Sequence, residues 1–231
     1  MNGFLVFHRV LGPRVYAQRL TLPDGKLTGE PIEVGRARIS ETFGRYFVST
    51  APTGTIATLG PAEGTSQLTW ISRDGRLMAS VGEPAIQLGV ELSPNGAQVA
   101  TFRSNAIWVS HLERAVPTRA TGASNRHPIW SPDGERLLTM FQGRGIGTFD
   151  LIATARTSGA TQTLLEETTS TMKPIGWSGD GRTIFWIHAA SGAVWSMPVD
   201  EPRKPVRQLP DGVIEARLSP DGQWIAYATD R

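Results

Sequence analysis

The sequence predicts an all-β chain: a β-propeller of four-stranded antiparallel blades, forming an incomplete arc of four full blades with part-blades at both termini. Three observations carry that expectation. A short turn motif, Ser-x-Asp/Asn-Gly, recurs at a nearly regular interval. A short aliphatic strand comes after every copy. No window of ten or more residues keeps a helical apolar period, and the nearest candidate, Leu164-Leu165-Glu166-Glu167, fits a strand equally well.

The motif occurs as Ser93-Pro94-Asn95-Gly96, Ser131-Pro132-Asp133-Gly134, Ser178-Gly179-Asp180-Gly181 and Ser219-Pro220-Asp221-Gly222. Its serines are 38, 47 and 41 residues apart. A large apolar residue precedes each copy (Leu92, Trp130, Trp177, Leu218), and an aliphatic residue stands six places after each serine (Val99, Leu137, Ile184, Ile225). Proline pre-sets φ for the second position of a type I turn. Asp or Asn bonds the backbone locally, and glycine accepts positive φ. Each copy therefore predicts a tight hairpin between two antiparallel strands.

The strands after these turns, such as Leu137-Leu138-Thr139-Met140-Phe141 and Ile184-Phe185-Trp186-Ile187, lack polar alternation and predict burial on both faces. A second hairpin closes each unit, through Ala106-Ile107-Trp108-Val109 and Pro117-Thr118-Arg119 in one copy, and Ala193-Val194-Trp195-Ser196 and Val206-Arg207-Gln208-Leu209 in another. Four short strands in about 40 residues is the period of a propeller blade.

This pattern predicts one propeller domain, residues 1–231, with a part-blade at 1–38, blades at 43–82, 88–122, 127–168 and 173–210, and a part-blade at 214–231. In the first part-blade, Phe4–Phe7, Val15–Arg19 and Pro31–Val34 read as the last three strands of a blade. In the first full blade, Arg45–Ser49 reads as the opening strand, and Ser72-Arg73-Asp74-Gly75 turns between the last two. At the far end, Glu215–Ser219 and Trp224–Ala228 begin a blade, so the chain is expected to be a segment of a longer protein.

Composition narrows the chemistry. Glycine and proline make up 41 of 231 residues, enough for many turns. The absence of cysteine excludes disulfides, thiolate zinc sites and cysteine nucleophiles. Twenty of the 23 cations are arginine, but Arg36, Arg38, Arg103, Arg114, Arg119, Arg144 and Arg182 are scattered and form no nucleic-acid stripe. No run approaches the ~18 apolar residues that span a bilayer, so no membrane segment is expected. Met1–Arg9 carries neither a basic leader nor a small-residue cleavage site and reads as a strand already under way.

The motif, a large apolar residue, Ser-Pro-Asp-Gly and an aliphatic strand, resembles the WD-like repeats of TolB and prolyl-oligopeptidase propellers. The segments Phe4–Phe7, Tyr16-Ala17-Gln18, Leu27–Pro31, Leu68–Arg76 and Trp195–Pro198 resemble most closely the C-terminal sensor propeller of bacterial transmembrane Ser/Thr protein kinases of the eukaryotic type. That resemblance implies an extracytoplasmic recognition role and further chain on both sides; without it, a cytoplasmic location is the expectation. The pattern is altered where Gly179 replaces proline and Asn95 replaces aspartate.

The chain has no kinase glycine-rich loop, His-Arg-Asp or Asp-Phe-Gly motif, and no Gly-x-Ser-x-Gly elbow, so phosphate transfer and hydrolase chemistry on these templates are excluded. His8, His111, His127 and His188 lack metal-ligand spacing, although His127 begins a blade where first strands line a channel. Asp133, Asp180 and Asp221 read as turn stabilisers rather than calcium ligands, and Trp130 and Trp177 as inter-blade core. Gly143–Gly147 precedes a strand and reads as a hairpin rather than a phosphate cradle. The expectation is a non-catalytic module without cofactor or metal, binding a protein or small ligand at the channel mouth or blade-edge loops, with no nucleic-acid partner. The alternatives are an accessory propeller of a prolyl-oligopeptidase-like hydrolase and a propeller enzyme of the lactonase or lyase type.

Overall fold

The structure, a computed structural model, describes residues 2–8, 14–21, 24–36, 39–40, 45–46, 48–50, 56–59, 65–71, 76–111, 116–143, 148–168, 170–219 and 221–229. Among them every regular element is a strand. β1 (Asn2–His8), β2 (Arg14–Thr21) and β3 (Lys26–Arg36) form a three-stranded antiparallel sheet. A short ribbon comes next, β4 (Ile39–Ser40) with β5 (Arg45–Tyr46).

Four sheets of four strands succeed it. The first holds β6 (Val48–Thr50), β7 (Ile56–Leu59), β8 (Ser66–Ile71) and β9 (Leu77–Ala85), and the second β10 (Gln87–Leu92), β11 (Gln98–Arg103), β12 (Ala106–His111) and β13 (Pro117–Arg119). The third holds β14 (Asn125–Trp130), β15 (Arg136–Gln142), β16 (Phe149–Ala155) and β17 (Thr161–Thr168). The fourth holds β18 (Met172–Trp177), β19 (Thr183–His188), β20 (Ala193–Pro198) and β21 (Val206–Leu209). β22 (Val213–Leu218) and β23 (Ile225–Thr229) pair as a final two-stranded sheet. In each four-stranded sheet the spatial order is the chain order, which is the meander of a propeller blade.

The chain divides into two compact units, residues 1–103 with 110–117, and residues 104–109 with 118–231. In the first, Ala57, Leu68 and Val81 of one sheet pack against Val90, Leu92 and Val99 of the next. Val15, Ala17 and Val34 meet Ile56 in a second cluster. In the second unit, Ile129, Leu138 and Leu151 pack with Met172, Trp177, Ile184 and Trp186 across two sheets, and Ile175, Ile187 and Val194 pack with Val213 and Ala216 across the next pair. Within each unit the first strands of successive sheets lie side by side: β6 next to β10, and β14, β18 and β22 in a row. Blades stacked face to face around an axis produce this arrangement, because their second strands, such as β15 and β19, then bury both faces.

Two elements differ from the sequence reading. The expected strand Arg45–Ser49 is divided, with Arg45–Tyr46 in the ribbon and Val48–Thr50 opening the blade. Buried Ser49 ties the blade-opening strand to the next sheet, its Oγ accepting the Leu92 N–H of the neighbouring first strand at 2.9 Å. The expected strand at Pro31–Val34 lengthens to the eleven residues of β3. Pro31 is tolerated there because β3 is an edge strand with two register shifts against β2. The turn at Ser72–Gly75 lies outside the described residues, although the strands that it joins, β8 and β9, pair as expected.

Candidate functional site: the repeated turns and the first strands

All four motifs fold into one hydrogen-bonded unit joining the first and second strands of a sheet. The glycine N–H donates to the serine carbonyl at 2.8 Å (Gly96 to Ser93), 2.9 Å (Gly134 to Ser131), 2.9 Å (Gly181 to Ser178) and 2.8 Å (Gly222 to Ser219). These glycines have φ of 70°, 73°, 70° and 69°, while Asn95, Asp133 and Asp180 before the first three keep negative φ, so those turns are type I rather than type II.

The serine hydroxyl accepts the N–H of the residue five places on, at 2.9 Å from Gln98, Arg136 and Thr183 and 3.0 Å from Trp224. It donates to Oδ1 of the acidic or amide residue, at 2.7 Å for Asn95 and 2.5 Å for Asp133 and Asp180, and likewise for Asp221. The same Oδ1 accepts a second N–H, from Ala97, Glu135, Arg182 or Gln223, at 2.9–3.1 Å. Pro94 and Pro132 hold the second turn position; Pro220 lies outside the described residues.

These bonds set the electrostatics. For Asp133, partial burial pushes the carboxyl up, but hydrogen bonds from Ser131 Oγ and the Glu135 N–H, with Arg136 nearby, bring it below its ordinary 3.8. For Asp180 and Asp221 the serine hydroxyl leads, followed by the backbone N–H of Arg182 or Gln223, and both carboxyls are lowered. Each carboxylate thus serves its own backbone. Among the described residues no three His, Asp or Glu side chains gather as a metal-binding group.

Neighbouring turns also touch. A Cβ built on Gly179 would stand 2.5 Å from the Asp221 carbonyl oxygen, and one built on Gly222 would strike the Gly179 nitrogen and Ser178. The guanidinium of Arg136 lies 4.7 Å from the Trp177 ring centroid and donates to the Gly181 carbonyl at 3.4 Å. Trp177 is buried among residues of both sheets, as expected of an inter-blade residue, and Trp130 is also buried.

The first strands carry a feature invisible in the turn motif. β10, β14, β18 and β22 each shift register against the second strand, between Leu88 and Glu91, Arg126 and Ile129, Pro174 and Gly176, and Val213 and Glu215. His127 sits in one such bulge with φ of 54°, a left-handed conformation uncommon for residues other than glycine. Around these bulges Arg126, His127, Lys173, Glu215 and Arg217 are half-buried. Lys173 Nζ lies 4.0 Å from Glu215 Oε1 on the adjacent strand, and its side chain is only 14% exposed. Arg126 and Lys173 both stand five residues before their turn serine, on strands that lie side by side. That recurrence was the readable signal; sequence analysis singled out only His127.

The other histidines are held locally or lie elsewhere. Gln98 Nε2 is 2.7 Å from His111 Nε2, and His188 Nδ1 is 3.2 Å from Ser191 Oγ; the His8 side chain is outside the described residues. Gly143 donates its N–H to the Thr148 carbonyl at 2.9 Å between the paired strands β15 and β16, and residues 144–147 of the glycine-rich run lie outside the described residues.

No protein-family model and no curated protein sequence matches the chain. Solved structures do. TolB from Acinetobacter baumannii is similar over 90% of this chain, with a TM-score of 0.66 and 13% identity, and the chain spans 52% of that protein's length. A protein assigned as TolB from Agrobacterium tumefaciens is similar over 97% of this chain and 86% of its own, with a TM-score of 0.68 and 18% identity. An oligogalacturonate lyase in complex with manganese is similar over 94% of this chain and 71% of its own, with a TM-score of 0.61 and 10% identity. At these identities the likeness carries the fold and not the chemistry. Four-stranded meandering blades, first strands side by side and these structural matches make the fold a β-propeller, similar to that of TolB.

Proposed function

We propose that the chain is a non-catalytic recognition module whose ligand or protein partner meets the bulged first strands and the loops at their ends. One observation carries this reading: Arg126, Lys173, Glu215 and Arg217 stand half-buried on adjacent first strands, with Lys173 paired to Glu215 across two of them. A row of half-buried charges along neighbouring strands, accessible at their ends, suits a polar ligand. The likeness to bacterial receptor-type Ser/Thr kinases supports a sensor placed outside the cytoplasm, with catalysis performed by another part of the same protein.

The test is a screen of the purified chain against ester, lactone, peptide and oligogalacturonate substrates, with and without divalent metals. No turnover is expected; turnover that survives repurification and disappears with chelator overturns the reading in favour of a propeller enzyme. The kinase association is tested by the surrounding reading frame, where a kinase catalytic loop and a membrane-spanning segment are expected and a hydrolase elbow would instead favour the peptidase alternative.

A further inference from the structure

We propose that Asn95 is a deamidation site that its own turn keeps closed, and whose aspartate product restores the turn it came from. Asn95 precedes Gly96, and Asn-Gly is the dipeptide most prone to this reaction, because glycine leaves the backbone nitrogen unobstructed. The Gly96 nitrogen attacks Cγ of Asn95 and gives up its proton to solvent. The side-chain nitrogen takes up a proton from solvent and leaves as ammonia as the Cγ–N bond breaks, and a five-membered imide forms. Water then opens the imide at one carbonyl to give aspartate, or at the other to give isoaspartate, whose main chain runs through the side-chain carbon.

Ring closure needs the Gly96 nitrogen swung over the side chain. In a type I turn ψ at this position is near 0°, about 120° from the value at which that nitrogen eclipses Cβ. The Gly96 N–H is also committed to the Ser93 carbonyl at 2.8 Å. Asn95 Oδ1 is pinned by Ser93 Oγ at 2.7 Å and by the Ala97 N–H at 3.0 Å. Asn95 is exposed to water, yet the attacking and attacked groups are held apart. Reaction therefore requires the β10–β11 hairpin to open, and its rate measures that opening.

The sibling turns decide the fate of the product. Asp133, Asp180 and Asp221 make the same two Oδ1 bonds from the same position, so an aspartate at 95 re-forms the native unit. An isoaspartate lengthens the main chain by one carbon and cannot close the bond from Gly96 to Ser93. The reaction thus sorts opened molecules into a restored class and a damaged class.

The experiment holds the full chain at mildly alkaline pH, natively and in unfolding urea. Tryptic peptide Leu77–Arg103, in which Asn95 is the sole asparagine, is followed by mass and by isoaspartate content. Conversion should be at least about tenfold slower in the native protein, in proportion to the rarity of local opening. N95D should leave the urea midpoint unchanged and remove the mass gain. Equal rates in the two states, or a native rate above the unfolded one, overturn the closed-turn mechanism. An N95D midpoint well below the parent overturns the restoration.

Discussion

Gly179 and Asp221 lie in van der Waals conflict with any side chain at the first of them: a Cβ on Gly179 would sit 2.5 Å from the Asp221 carbonyl oxygen and 3.0 Å from its carbonyl carbon. Glycine therefore occupies a turn position filled by proline at Pro94 and Pro132 because the turn of the next sheet leaves no room for a ring. Restoring the repeat pattern with Gly179→Pro should destabilise by ~1–3 kcal/mol, and Gly179→Ala by a smaller amount of the same sign. Urea unfolding of both variants measures this.

Gly134 takes φ of 73° at the end of its turn, which a β-branched side chain rarely adopts. Gly134→Val should destabilise by ~1–3 kcal/mol. The same denaturant titration reads it, with an unchanged slope expected if the unfolded state is unaffected.

Asn95 shows that the turn needs an oxygen acceptor and not a charge, since its Oδ1 makes both bonds made by the aspartates. Asp133→Asn should therefore change stability by less than ~1 kcal/mol at neutral pH. Ser131→Ala removes the hydroxyl that both accepts from Arg136 and donates to Asp133 in a fully buried residue, and should cost ~1–3 kcal/mol. A severe Asp133→Asn loss that calcium reverses would contradict the turn-only role.

The acid side of the stability profile rests on the same bonds. The carboxyls of Asp133, Asp180 and Asp221 lie below 3.8 in the folded protein, so their ionised forms add stability that is fully present above the unfolded value. That stability is lost as pH falls through the lowered folded values. Replacing all three by Asn should lower the neutral plateau modestly and flatten the decline below pH 3.8. Thermal melts of parent and variant across the acid range compare the two slopes.

Trp177→Ala should cost ~3–5 kcal/mol, because the ring is buried between two sheets and also supports the Arg136 guanidinium. Arg136→Ala should cost less, and the two losses should not add in a double-mutant cycle.

The turns were legible because their chemistry is local. Ser131 through Gly134 bond one another and Arg136, so six residues determine the geometry and the motif reports it. The first strands were not legible to the same degree. The bulge at His127 depends on how β14 meets β15 and on what stands beside β14, and neither fact is written in the run Asn125–Trp130. The Lys173–Glu215 pair joins residues 42 positions apart on neighbouring sheets, a distance that strand periodicity does not encode. Gly179 is the intermediate case. Its departure from proline was visible in the sequence, but the cause lies in Asp221, one repeat later.

Repeat chains grow by copying and exchanging segments, and a segment travels freely only if its edges make no demand on what lies beside it. Turns closed by their own serine and aspartate meet that condition. The crossing of Gly179 and Gly222 does not, since each occupies space that a larger residue on the other would need. The two last turns are thus fitted to each other: the space that Gly179 leaves open is the space that the backbone of Asp221 and Gly222 fills.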